Sequence, residues 1–340
     1  MTSALPSVRF SILDRSRVRR GQSHPAALRD TVEFARLAEE WGYHRFWVSE
    51  HHGVPGVAGS APTVLAAAAA AATERIRIGT GGVMLPNHQP LVVAEQFGVL
   101  DSLYPGRIDM GLGRSVGFTD GVRRALGHDK RDAEDFDAQL SELLDYFTHG
   151  RDGVHGWPAE GLRVPAYLLA TGSGAERAAR FGLPLVIAAI GGRDRMIEAI
   201  ARYRDGFRAT AWGAAPYVIV SGSVVIADTT VQARRLLLPE AWSAAYSRTR
   251  GEFPSLIPPA EIEAMTMTER ERRIFEESMT GHVHGTEDEV AEQLEQLVTA
   301  TGADEILVHT STFDRAARLE SHRRLALLTG LSAARARSAA

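Results

Sequence analysis

The 340 residues contain no cysteine. Disulfide scaffolds, thiolate zinc sites and cysteine nucleophiles are therefore excluded. Basic runs are missing as well. Lys and Arg number 38 against 42 Asp and Glu, the formal net charge is -4, and no cluster suggests a nucleic-acid groove. The longest Ala-rich stretch, VLAAAAAAAT at 64–73, is too short and too weakly apolar to span a bilayer. MTSALPSVRF lacks the basic segment and apolar run of a signal peptide. These absences lead us to expect a cytoplasmic globular protein with neither nucleic acid nor membrane as a partner. The phosphate loop G-x-x-x-x-G-K-[ST] is also absent, and there are no internal repeats.

What is present is alternation. β-rich runs occur at 8–14, 44–50, 75–85, 107–113, 166–171, 183–191, 217–227 and 304–312, and helical patterns fill the intervals. In ALRDTVEFARLAEEWG (27–42), for example, Leu28, Val32, Phe34, Ala35, Leu37, Ala38 and Trp41 recur near 3.6 spacing, and Gly42 supplies a stop. Eight apolar strands, each followed by helix, predict an α/β fold, a (β/α)8 TIM barrel, in preference to a doubly wound sheet. The spacing fails once, before the last strand. That segment carries Trp242, Tyr246, Phe253, Leu256 and Ile257, so it reads as an insertion (about 237–283) over one end of a single domain spanning 1–340.

Chemistry in such a barrel belongs at the C-terminal ends of the strands. The sequence puts Glu50-His51-His52, Gly79-Thr80-Gly81-Gly82, Gly113-Arg114, Thr171-Gly172-Ser173-Gly174, Gly191-Gly192 and His309-Thr310 there. Adjacent strand residues face opposite ways, so His51 and His52 do not share an ion while the strand continues. His282-Val283-His284 has chelating spacing but falls late in the chain, and no metal is expected. A hydrogen-bonded histidine pair at a strand end is the plainer alternative for the double histidine. ATGSGAERAARFG runs from strand through a Gly-rich turn into a helix, an arrangement that favours an anion. The dinucleotide fingerprint is broken by Arg177 where its third glycine belongs, so a phosphomonoester fits better. The glycines at 79–82 suit either a flat ring lying on the backbone or a tight barrel corner.

YHRFWVSEHHG, RIRIGTGGVMLPNHQPLVVAEQFGVLDSLYPGRIDMGLGR, LLATGSGAERAARFGLP and HGTEDEVAEQLEQLVTATGADEILV together make the chain resemble the bacterial-luciferase-like flavin-dependent oxidoreductases. The resemblance spans most of the barrel, in order. It implies a barrel of the bacterial-luciferase type binding FMN, or the deazaflavin F420, at the C-terminal rim. It also implies a non-proline cis peptide at Gly81-Gly82 against the ring, and a catalytic His51 beside Glu50. Arg114 would bind the phosphate, with the turn Thr171, Gly172, Ser173 and Gly174 completing that site. The reactive cysteine of the luciferases falls at Gly113, which argues against light emission.

The implied activity is a monooxygenase that uses reduced FMN and O2 through a C4a-(hydro)peroxyflavin to oxygenate an organic substrate, secondary metabolites among them. Reduced flavin would come from a separate flavin reductase, in a two-component system, and a homodimer is expected. The ordinary pKa of an imidazole suits His51 to manage the proton. The alternatives are an F420-dependent hydride-transfer enzyme, with Arg123, Arg124 and Lys130 serving the acidic tail, or a flavin-binding subunit without turnover. Trp212, Trp242, Tyr246 and Phe253 are candidates for the substrate wall, or ordinary core.

Overall fold

A computed structural model of the chain describes Leu5 and residues 8–117 and 119–331. Most of the stretch considered for a signal peptide, and both ends of the 1–340 span, lie outside these residues. The strands in chain order are β1 (Arg9–Asp14), β2 (Arg45–Val48), β3 (Arg77–Thr80), β4 (Val83–Met84), β5 (Ile108–Gly113), β6 (Ala166–Ala170), β7 (Leu185–Ala188), β8 (Val218–Gly222), β9 (Val224–Ile226), β10 (Val283–Gly285) and β11 (Glu305–Val308). β1, β2, β3, β5, β6, β7, β8 and β11 pair in parallel around a closed ring, with β4 continuing β3 after Gly81-Gly82. This is the (β/α)8 barrel that the alternation predicted.

The helices are α1 (His24–Trp41), α2 (Pro62–Ala71), α3 (Pro90–Leu103), α4 (Asp120–Leu126), α5 (Phe136–Tyr146), α6 (Gly174–Phe181), α7 (Arg193–Asp205), α8 (Thr230–Arg250), α9 (Pro259–Glu263), α10 (Glu269–Ser278), α11 (Glu287–Thr301) and α12 (Arg315–Leu328). α1 starts three residues ahead of the apolar pattern. Ser23 caps it by accepting from Ala26 N–H, and Pro25 sits in the first turn, where a missing N–H costs nothing. Gly42 closes it at φ 87°, as the sequence implied.

Successive strand residues face alternately outward and inward. Phe10, Ile12, Phe46, Val48, Ile78, Ile108, Met110 and Val220 pack outward against the helices in the main core. Leu13, Trp47, Tyr167, Val186, Ile219 and Leu307 fill the barrel interior. Below them the floor is ionic. Asp109, fully buried, accepts from Arg45 at 2.8 Å, from Trp47 Nε1 at 3.1 Å and from two Arg77 nitrogens at 3.0 and 2.6 Å. Arg45 also donates to the Tyr167 hydroxyl, and its Nε lies 2.8 Å from Glu305, close as an ion pair though not aligned as a hydrogen bond.

The predicted seventh strand, 217–227, is not continuous. It breaks at Ser223, and β9 leaves the barrel to pair with β10. β10 contains His282-Val283-His284 in part, where the sequence had suggested only the approach to a helix. α8, α9 and α10 lie between β9 and β10. They carry a second small core of Val225, Leu237, Leu238, Trp242, Ile262 and Ile274.

The floor supplies a test of barrel architecture. Asp109→Ala strands two guanidiniums, one of them buried, and such a loss costs about 3–5 kcal/mol. We expect that loss in urea unfolding; a change below about 1 kcal/mol would show that the floor is solvated.

Candidate active site

A cavity of about 340 Å³ opens at the C-terminal end of the barrel, in the size range of small-molecule sites. Glu50, His51, Gly81, Gly82, Arg114, Thr171, Ser173 and Gly174 all line it. Of the residues expected to be catalytic or to hold the flavin, only Gly172 is absent from the wall; it forms the turn at φ 47°. The Gly81-Gly82 peptide is cis.

Close packing accounts for the glycine run. A Cβ on Gly79 would sit 2.4 Å from the Asp109 carbonyl and 2.9 Å from Trp47 Nε1, and one on Gly82 would sit 2.8 Å from the Gly111 carbonyl. The tight-corner reading therefore holds, and the same packing leaves a smooth wall on which a flat ring could lie.

One end of the cavity is basic. Arg114 follows β5 and anchors its Nε on the Ala133 carbonyl at 2.7 Å; among the described residues it faces no carboxylate within ion-pair distance. α6 points its N-terminus into the cavity through Ser173 and Gly174, so the positive end of the helix dipole faces the same end, although the Gly174 and Ala175 amides are taken by the Thr171 and Gly172 carbonyls. Arg177, one turn into α6, joins them, with its Nε held by Asp137 and its guanidinium over Phe136. The sequence had marked Arg177 only as an interruption of a glycine motif.

At the other end the two histidines diverge. Strand β2 stops at Val48, and His51 turns to the cavity with Nδ1 3.2 Å from Ser49 Oγ and its ring edge-on to Phe253. Burial, together with the charges of Arg15 and Arg17, pushes the imidazole down to about 4. This corrects the expectation of a near-neutral pKa: His51 is a neutral imidazole at pH 7. His52 points away, with Nε2 2.7 Å from Glu50 Oε1. His88 Nε2 lies 3.0 Å from both Glu50 oxygens, and Met84 N–H donates to Oε2 at 2.9 Å. Burial alone would raise the Glu50 carboxyl, yet the His52 and His88 contacts and the Met84 amide bring it down to about 2.

Ligand atoms of Glu50, His52 and His88 lie within 4.8 Å of one another. The carboxylate already has four partners, His52, His88, the Met84 amide and Asn87 Nδ2, and we read the trio as a brace fixing β2 against the chain after β4. His88 had no local sequence signal; only the fold brings it to Glu50. His282 and His284 instead bond to the backbone carbonyls of Ser278 and His282.

Three other expectations are corrected. Trp212 lies on the loop before β8, at the opposite end of the barrel, against Phe147. Trp242 and Tyr246 belong to the insertion core and do not line the cavity. Arg123 is buried, with its guanidinium bonded to the Gly117 carbonyl and to Asp120, so it is not presented to a ligand tail.

A parallel barrel whose C-terminal mouth holds a basic pole, a flat wall and a buried histidine has the form of an enzyme site for a small anionic ligand. The profile of the Luciferase-like monooxygenase family matches residues 8–305. The chain belongs to that family, and with it to the oxygenating oxidoreductases. It is 36% identical over 319 residues to the Luciferase-like monooxygenase of Escherichia coli K12, covering 93% of this chain and 95% of the other. It is 33% identical over 316 residues to the N-acetyl-S-alkylcysteine monooxygenase of Bacillus subtilis, covering 89% and 92%. Among solved structures, apo-MsnO8 superposes with a TM-score of 0.83 at 31% identity, covering 96% and 99%. No helix among the described residues is long and apolar enough to cross a membrane.

The state of His51 can be read from stability. Its pKa in the unfolded chain is about 6.5. Between that value and about 4 the unfolded chain therefore binds a proton that the folded chain refuses. Stability falls as pH falls through this window, and the contribution of His51 vanishes above it. His51→Gln should reduce the slope of unfolding free energy against pH there. Equal slopes in variant and parent would mean that His51 titrates freely.

Proposed function

We propose that the chain is a monooxygenase that takes reduced FMN from a separate flavin reductase and uses O2 to oxygenate an organic substrate. The observation that carries this reading is one cavity holding two unlike poles. Arg114, Arg177 and the α6 N-terminus suit a phosphate, and the wall of Gly81 and Gly82 leads from them to a neutral His51. Bound there, reduced FMN would supply the electrons that activate O2 for transfer of one oxygen atom.

The chain's own part is position, dryness and proton handling. Thr171 and Ser173 offer hydroxyls beside the two arginines. Leu13, Leu168, Leu169, Val186, Ile187 and Leu307 make the remaining wall apolar and exclude water. With Nδ1 against Ser49, His51 keeps Nε2 to accept a proton or present one. Glu50 acts through the brace rather than on a reactant.

Solved structures sharing this fold hold FMN in a 3,6-diketocamphane monooxygenase, at 18% identity, and an F420 adduct in a secondary alcohol dehydrogenase, at 16%. The committed Arg123 favours FMN, because the basic set proposed for an F420 tail is left with Arg124 and Lys130. Val64, Val92, Val99 and Leu103 are exposed on α2 and α3. That apolar face supports a homodimer. Sedimentation as a monomer at micromolar concentration would refute it, and Leu103→Glu should shift a dimer toward monomer.

Arg114→Ala should weaken FMN binding by roughly 10–150-fold, the worth of a charged hydrogen bond, and leave riboflavin nearly unaffected. Equal losses for both would place the phosphate elsewhere. His51→Ala should still bind FMN but lose roughly 10²–10⁴-fold in product formed with reduced FMN and O2. Hydrogen peroxide should replace the product. Unchanged product per reduced flavin, with only a lowered melting temperature, would leave His51 an architectural residue.

A further inference from the structure

The ring order of the strands puts β1 and β11 across the mouth from β5 and β6, and so opposite the basic pole. A second polar cluster, unused in the function above, sits on that side. Arg15, just after β1, lies 2.8 Å from Glu240 of α8 and donates to the His309 carbonyl at 3.3 Å. Arg17 donates to Ser243 Oγ at 2.6 Å and to the Pro254 carbonyl at 3.2 Å, with Nε 3.7 Å from Glu240. His51, His282 and His309 all lie within the field of these charges.

Two features of the cluster are incomplete. The first is charge. Two guanidiniums meet one carboxylate, while burial holds His51 to about 4 and His309 to about 3, so neither is cationic at pH 7. Counting only the groups in direct contact, one positive charge is left over where Arg17 is 2% exposed and Arg15 only 20%; the Glu50 carboxylate, the next negative group beyond His51, is already engaged by His52 and His88. Unmatched buried charge is costly, and an anion relieves it. The second is hydrogen bonding. Nε of Arg15, Nε of Arg17, Oε2 of Glu240 and Nδ1 of His309 are buried, and none has a hydrogen-bond partner among the described residues. Arg17 Nε and Glu240 Oε2 face each other at 3.7 Å, beyond hydrogen-bond length, whereas Arg15 Nε and His309 Nδ1 are orphans of a kind uncommon in folded interiors.

We propose that Arg15 and Arg17, balanced by Glu240, form an anion subsite that recognises the carboxylate of an organic acid substrate. Arg15, 20% exposed, is the more accessible member, and Arg17, 2% exposed, supplies charge from behind it. One unmatched positive charge suits a monoanionic carboxylate better than a dianionic phosphate, and a guanidinium fork fits a carboxylate geometrically. Calling the acid a substrate rests on the oxygenase reading; the subsite itself does not.

The competing account is a latch, in which the ion pair merely pins α8 over the mouth. Substitutions separate the two by sign. Phenylacetate, octanoate and N-acetylphenylalanine, each with its methyl ester, are titrated calorimetrically into FMN-loaded protein, so that the phosphate pole is filled. At least one acid should bind about 10–100-fold more tightly than its ester, the worth of a charged hydrogen bond. R15Q should abolish that preference. E240Q, by removing the competing carboxylate, should strengthen acid binding.

A latch predicts instead that both variants weaken binding together. Acids that bind no better than esters, or R15Q and E240Q shifting affinity in the same direction, would overturn the subsite. Tighter binding of phenyl phosphate than of phenylacetate would overturn the carboxylate assignment. Acid-selective binding without oxygenation of any acid would support the subsite and count against the monooxygenase reading. Oxygenation of esters and acids alike would do the reverse.

Discussion

The approach of β3 to β5 constrains most of what this barrel can do. A Cβ on Gly111 would lie 1.9 Å from the Thr80 carbonyl, and one on Gly79 would lie 2.4 Å from the Asp109 carbonyl. Only glycine fits at such contacts. That closeness gives the Trp47 indole the room to reach Asp109, which gathers Arg45 and Arg77 into the floor. It also forces the wall above to be bare backbone at Gly82, where a Cβ would lie 2.8 Å from the Gly111 carbonyl, while Gly81 is kept bare by Leu13 and Trp47. Floor and wall are thus joined through Trp47, which reaches Asp109 below and packs under Gly81 above.

Electrostatics then divide the molecule along the barrel axis. At the floor, charges are matched and multiply bonded, the arrangement in which buried ions persist. At the rim they are not. Arg114 and the α6 N-terminus face the cavity without a carboxylate, and Arg15 and Arg17 share one. Between these poles burial strips His51 of its proton. A cationic imidazole there would add a third positive centre beside Arg15 and Arg17; a neutral one can take a proton when chemistry supplies it. The same burial leaves the ring unprotonated at pH 7 and makes any proton it takes up easy to give back, since a lowered pKa means a stronger conjugate acid.

The barrel was legible because each strand carries apolar residues on both faces, a pattern that few other architectures require. The rim was legible because glycines, histidines and Arg114 recur at strand ends. What stayed hidden depends on pairings distant in sequence. His88 reaches Glu50 from 38 residues away, and Glu240 meets Arg15 only after α8 folds back. The start of α1 was missed because its signals, Ser23 and Pro25, precede the first apolar residue of the pattern. YVIVSGSVVIA read as one strand because nothing local announces the break at Ser223; the partner of β9, β10, lies far along the chain. Trp212 is a candidate for the substrate wall, or for ordinary core, on side-chain type alone, and only its place before β8 puts it at the other end of the barrel.

That break at Ser223 links the segment between β8 and β11 to the site. By leaving the ring early, β9 pairs with β10 and sends α8 from a fixed base; the Val224 amide and carbonyl both bond to Thr310 at the end of β11. α8 then delivers Glu240 and Ser243 to the arginines after β1. The following stretch returns along the other flank: Phe253 accepts from Gly56 N–H and stacks edge-on against His51, and Leu256 pairs with Val18 and Arg20. Contacts from the insertion therefore touch β1, β2 and β11, the side opposite Arg114. Change in this segment would alter what meets His51 while leaving Arg114 and α6 in place. On the function proposed above, a barrel arranged this way would retain one cofactor pole while the insertion set which substrate reaches the histidine.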